Sequence, residues 1–156
     1  MLDWQWKHFD ELTTNELYAI LKARQEVFVV EQDCAYLDID AFDQDAWHLM
    51  GWDIAAPDAR ALRAYLRLVG PDNRYAEPSI GRVLTSAGVR HAGLGREALS
   101  LGIEQAGRIY PEQSIRISAQ LHLAPLYSEF GFTTVSEPYD EDGIPHVEML
   151  KNRCAV

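Results

Sequence analysis

Cysteine is scarce in this sequence: Cys34 and Cys154 stand far apart in 156 residues, one of them almost at the end. Two such residues make neither a disulfide framework nor a metal-ligand spacing, and a reducing cytoplasm is the expected compartment. Long apolar runs are missing as well. No stretch approaches the ~18 residues of a membrane span, and Met1-Leu2-Asp3-Trp4 lacks the basic and apolar regions of an export signal. Positive charge is in short supply. Fourteen Lys and Arg face twenty-four Asp and Glu, a net charge of −10. Nucleic acid and anionic membranes carry the same sign and are disfavoured as partners. Such acidity attracts cationic partners such as amines, or does no more than keep the chain soluble. The five histidines (His8, His48, His91, His122, His146) show no ligand spacing, so no metal is expected. With 47% hydrophobic and 24% charged residues the chain reads as globular, and residues 1–156 fit one domain.

The pattern alternates short strands with helices. Residues 2–9 alternate apolar and polar, as a strand does. Thr13 and Glu16 form a capping box that opens a helix, whose apolar positions run through Leu17, Ile20, Leu21, Val27 and Phe28 to about Val30. Residues 33–46 hold five aspartates and predict a loop. Strands follow at Trp47–Ile54, Leu62–Leu68 and Ser79–Ser86, with a turn at 56–58. Leu94–Tyr110 is helical, Ser114–Gln120 a strand and His122–Phe130 a short helix stopped by Gly131. Phe132–Ser136 and His146–Leu150 close the chain as strands. The order predicts a mixed α/β domain around one central sheet. Trp4 or Trp6 on the first edge strand would either seat a second copy or cover the sheet.

Chemistry concentrates at residues 80–99, where a strand runs through glycines into an amphipathic helix. Glycines let backbone approach a ligand, and the first amides of a helix lack internal partners and carry the positive end of its dipole. Together they suit phosphate, although a plain strand-to-helix turn would look similar. Walker A needs Gly-Lys-Ser/Thr, and Gly95 is followed by Arg96-Glu97. Gly93-Leu94-Gly95-Arg96-Glu97-Ala98 matches Gly-x-Gly-x-x-Ala, but the acidic residue a dinucleotide fold wants is absent from Ile115–Gln120.

Arg90-His91-Ala92-Gly93-Leu94-Gly95 resembles the Arg/Gln-x-x-Gly-x-Gly signature of GNAT-type acetyltransferases. Pro125-Leu126-Tyr127-Ser128-Glu129-Phe130-Gly131-Phe132 is similar to the same superfamily's Tyr-x-x-x-Gly-Phe segment. Arg24–Gln32, Ile80–Val83 and Glu141–His146 resemble its ElaA-type branch. The resemblance implies the GNAT acyl-CoA N-acyltransferase fold, a mostly antiparallel sheet that splays open midway. It also implies acetyl-CoA as co-substrate and an amine as acceptor. Main-chain groups of Val83, Leu84 and Thr85 would pair with the pantetheine as an added strand. Arg90 and the amides of His91, Ala92, Gly93, Leu94, Gly95 and Arg96 would hold the pyrophosphate. His91 replaces a frequent glycine and Ala87 a frequent proline, which leaves backbone binding intact.

Acetyl transfer to an amine requires a neutral nitrogen, a polarised thioester carbonyl and a proton for the leaving thiolate. Tyr127 resembles the family tyrosine that protonates the thiolate. The third strand has no carboxylate between Ser79 and Ser86, so the base is sought among Glu31, His48, His122 and His146, or in a water relay. Arg24, Arg67 and Arg82 need acidic partners if buried, for which Glu31, Asp38 and Asp40 are at hand. Alternatively these three arginines, Arg82 among them, would hold a substrate carboxylate. A module that binds acyl-CoA without catalysis is the competing reading.

Overall fold

Capping and alternation lay out most elements of the computed structural model, which describes residues 1–55, 60–90 and 92–153. The expected turn at 56–58, His91 and Cys154 lie outside the described residues. Strand β1 (Leu2–His8) leads to helix α1 (Thr14–Arg24). The Thr13 Oγ accepts from Glu16 N–H (3.1 Å), and the Glu16 carboxylate accepts from Thr13 N–H (2.9 Å), so the capping box is complete. The expected helix to Val30 is continuous but changes pitch, because Gln25–Glu31 widen into a π-helical turn. Strands β2 (Ala46–Asp53), β3 (Ala61–Val69) and β4 (Ser79–Thr85) follow, then helix α2 (Leu94–Ile109) and strand β5 (Ile115–Gln120). The expected 122–130 helix divides into a 3₁₀ turn at Leu121–Leu123 and α3 (Ala124–Glu129).

The C-terminal part carries one strand more than the pattern implies: β6 (Thr133–Thr134), β7 (Tyr139–Glu141) and β8 (Ile144–Lys151). Asp142 (φ 53°) and Gly143 (φ 83°) turn β7 into β8, the two positive φ values of a type I′ hairpin.

The sheet order is β1-β2-β3-β4-β5-β8-β6, with β7 also on β8. Every pairing is antiparallel except β4 with β5, which are parallel and meet at a single residue pair, Ser79 with Arg116. Beyond it the two strands part. Helix α2 packs on one face of the sheet through Ala98, Leu99 and Ala106 against Leu66, Leu68 and Ile80. Helix α1 covers the other, with Ile20 against Met50, Trp52, Tyr65 and Leu84. Trp4 and Trp6 pack against the α2-side core, so in this fold they cover the sheet.

Candidate active site

Where β4 leaves β5, a bulge distorts it. Tyr65 pairs with Leu84 and Arg67 with Gly81, so Arg82 and Val83 together oppose Leu66. Arg82 takes φ 54°, a left-handed conformation costing a non-glycine residue about 1–2 kcal/mol. Its side chain is anchored. Nε donates to Asp38 Oδ1 (2.8 Å), Nη2 donates to Asp40 Oδ2 (3.1 Å), and the guanidinium lies over the Tyr36 ring.

These contacts belong to a larger network. Arg24, fully buried, donates to Asp38 (2.9 Å) and Asp43 (2.6 Å). Arg67, equally buried, donates to both oxygens of Asp40 (2.7 and 2.9 Å) and to Asp43 (3.0 Å). Three arginines thus meet three aspartates. Burial acts to raise the Asp40 carboxyl, but Arg67 and Arg82 outweigh it and hold it at about 2. Burial likewise opposes ionisation of Asp43, and Arg24 and Arg67 still hold it below the usual range. The acidic 33–45 loop is therefore bound to the floor of the sheet through Asp38, Asp40 and Asp43. Arg24 and Arg67 are buried against these aspartates and Arg82 has spent Nε and Nη2 on them, which argues against the expected grip of the three on a substrate carboxylate.

Two hollows lie in series along β4. One, of about 340 Å³, occupies the gap between β4 and β5; Gly81, Arg82 and Val83 form one wall and Ser118, Gln120 and His146 the other, with Tyr127 among the lining residues. The second, of about 420 Å³, is lined by Thr85, Arg90, Gly93, Leu94, Gly95 and Arg96. Gly93, in the left-handed conformation (φ 77°), precedes α2, whose first turn is closed by Glu97 N–H donating to Gly93 C=O (3.1 Å). The amides of Leu94, Gly95 and Arg96 come before that bond and donate to no group among the described residues. Arg90 grips Glu31 with both terminal guanidinium nitrogens, and Arg96 pairs with Glu129. Leu84 differs from its neighbours: its side chain is buried under α1.

The β4–β5 gap thus lies beside a glycine-opened helix, and the family model for the acetyltransferase (GNAT) domain matches residues 30–153. The chain belongs to the GNAT family. It is of the ElaA type: Escherichia coli ElaA superposes with a TM-score of 0.89 at 38% identity, covering 97% of this chain and 100% of that one. An acyl-CoA N-acyltransferase from Pseudomonas aeruginosa gives a TM-score of 0.90 at 42% identity, covering 97% and 99%. A UPF0039 protein of Synechocystis is 46% identical over 96% of this chain and 94% of its own. A CoA-dependent acyl-homoserine lactone synthase, 13% identical, shares the fold (TM-score 0.77). The GNAT family is one of acyltransferases.

Within this GNAT frame the acceptor-side candidates separate. Glu31 is tied to Arg90 and does not line the 340 Å³ hollow. His48 is a correction: it is fully buried, with Nε2 bonded to the Asp43 carbonyl (3.0 Å) and Nδ1 to the Tyr65 hydroxyl (2.7 Å), which leaves nothing for a substrate. His122 is exposed and outside the hollow. His146 alone of the four lines it, next to residues that the sequence reading passed over: Ser118, Gln120, Tyr139 and Glu141. Their signal was register. Gln120 pairs with His146, Tyr139 with His146 and Glu141 with Ile144, so alternation puts all of them on one face. Tyr127 packs edge-on against Phe132 (5.9 Å), and burial pushes its phenol up to about 12.

Proposed function

We propose that this protein transfers the acetyl group of acetyl-CoA directly to the amine of a small molecule or peptide, within a ternary complex. The observation that carries the reading is the gap that opens between β4 and β5 beyond Ser79 and Arg116, lined by Tyr127, with the amides of Leu94, Gly95 and Arg96, which have no partner among the described residues, at the far end of β4. The amides of Gly93, Leu94, Gly95 and Arg96 suit a pyrophosphate; that of Ala92 rests on the Val89 carbonyl at 3.4 Å and would turn to join them, and His91 belongs to the same segment. Main-chain groups of Val83, Leu84 and Thr85 suit the pantetheine amides, and an amide of the bulged strand suits the oxyanion that forms at the thioester carbon. Amine nitrogen attacks that carbon, the C–S bond breaks, and Tyr127 gives its proton to the departing sulfur. A phenol at about 12 keeps its proton at neutral pH. The leaving thiolate, ordinarily near ~8.5, enters the same low-dielectric pocket and is raised by the same burial, which narrows the mismatch.

The test is thiol release from acetyl-CoA over a panel of amines, amino acids and peptides, with calorimetry of coenzyme A alongside. Tyr127→Phe is expected to lower kcat on the order of 10²-fold, the usual worth of a positioned acid, with coenzyme A affinity unchanged. Coenzyme A binding without thiol release from any acceptor would instead identify a binding module.

A further inference from the structure

We propose that His146 and Glu141 form the station that takes the proton of the acceptor, so that acceptors are amines arriving as ammonium ions; this rests on the acetyl-transfer reading above. The His146 Nδ1 lies 2.7 Å from the Ile144 carbonyl, which only accepts, so Nδ1 carries hydrogen. A neutral His146 therefore presents its lone pair on Nε2. That lone pair faces Glu141 Oε2 at 3.2 Å. Two acceptors in contact leave room for one proton between them. The His146 ring is stacked on Tyr139 (6.2 Å between centroids, 25°), which fixes its plane. Ser118 Oγ lies between the Tyr139 hydroxyl (2.5 Å) and Glu141 Oε2 (3.3 Å), holding the carboxylate from the β5 side. Arg74, at 3.6 Å from Oε1, is the one cation among the described residues near Glu141 on its other oxygen.

The electrostatics select the acceptor. Asp38, Asp40 and Asp43 are matched by three arginines, so the floor of the hollow offers no spare charge. Glu141, whose Oε1 is paired with Arg74 at 3.6 Å while Oε2 faces His146, supplies the negative charge that meets an incoming cation. The side chain of Glu141 is 39% exposed, which lets the station pass its proton to water. Atoms balance as follows. The ammonium gives one proton to the Nε2–Oε2 slot and becomes nucleophilic. Its nitrogen bonds to the thioester carbon, the C–S bond breaks, and the second nitrogen proton replaces the one Tyr127 gives to sulfur. One proton leaves to solvent per acetyl group transferred.

The experiment compares ethylamine, charged at neutral pH, with trifluoroethylamine, which is nearly equal in size and neutral. Wild type, Glu141→Gln and His146→Gln are assayed for thiol release, with thermal melts and coenzyme A calorimetry on each. The expected result is a loss of about 10²-fold in kcat/KM for ethylamine, a change under about threefold for trifluoroethylamine, and unaltered coenzyme A affinity. Equal losses on both amines, or variants as fast as wild type, would overturn the station while leaving acetyl transfer standing. Wild type that binds coenzyme A yet acetylates neither these nor the wider panel would overturn both.

Discussion

Acidification in a range where carboxylates stay ionised is expected to destabilise this protein through one residue, His48. The ring is sealed in the core with both nitrogens satisfied as the neutral form: Nε2–H donates to the Asp43 carbonyl and Nδ1 accepts from Tyr65. A second proton would displace the Tyr65 donor and set a cation beside Arg24 and Arg67. Burial, the larger cause, lowers the group from 6.5 to about 4. The unfolded chain therefore binds a proton in this window that the folded chain refuses, and stability falls as pH falls from 6.5 to 4. The full difference, about 2.5 units at 1.36 kcal/mol each, is about 3 kcal/mol, of which about 2 kcal/mol is lost by about pH 5. Asp40, held at about 2, stays out of this window; its contribution is present above the usual carboxylate range and is lost only as pH drops toward 2. Urea unfolding of wild type and His48→Gln at about pH 7.5 and about pH 5 isolates the effect, since the other four histidines are common to both. With a slope of about 2 kcal/mol per molar, the wild-type midpoint is expected to fall by about 1 M and that of the variant to stay nearly level. A variant that loses as much as wild type on acidification would refute the assignment.

Asp43→Ala leaves two buried guanidinium groups without their shared partner and is expected to cost about 3–5 kcal/mol, read as a lowered melting temperature. Arg82→Gly is expected to unfold at higher denaturant than Arg82→Ala, by about 1 kcal/mol, because glycine relieves the left-handed φ that alanine retains; equal stabilities would show that the bulge relaxes. Gly93→Val is expected to weaken coenzyme A binding measured by calorimetry, since a branched residue resists φ 77° at the mouth of α2.

The parts of this fold legible in the sequence are those written in local chemistry. Thr13 with Glu16, Gly93 ahead of Leu94 and Gly131 after α3 mark element ends through neighbours a few residues away. The parts that were not legible depend on distant partners. Nothing near Asp43 says that it will join Arg24 and Arg67 rather than face water, because those residues lie 19 and 24 positions away. The bulge at Arg82 exists only relative to Leu66 on the adjoining strand. Strand β7 is three residues long, two of them acidic, and only the Asp142-Gly143 turn betrays it. His48 looked available as a base because an alternating strand does not declare which polar residue faces the core; His146, on the same evidence, could not be preferred to it.

An unpaired strand edge is ordinarily a hazard, since it offers a template to any extended backbone and invites self-association. Here the edges that β4 and β5 leave after Ser79 and Arg116 face each other across a narrow gap rather than outward. The hollow between them, about 340 Å³, is on the scale of one slender chain with amides of its own rather than of a second sheet. Short extended molecules carrying spaced amides, whether or not they bear a nucleotide, are thus natural starting points for inhibitors of this protein.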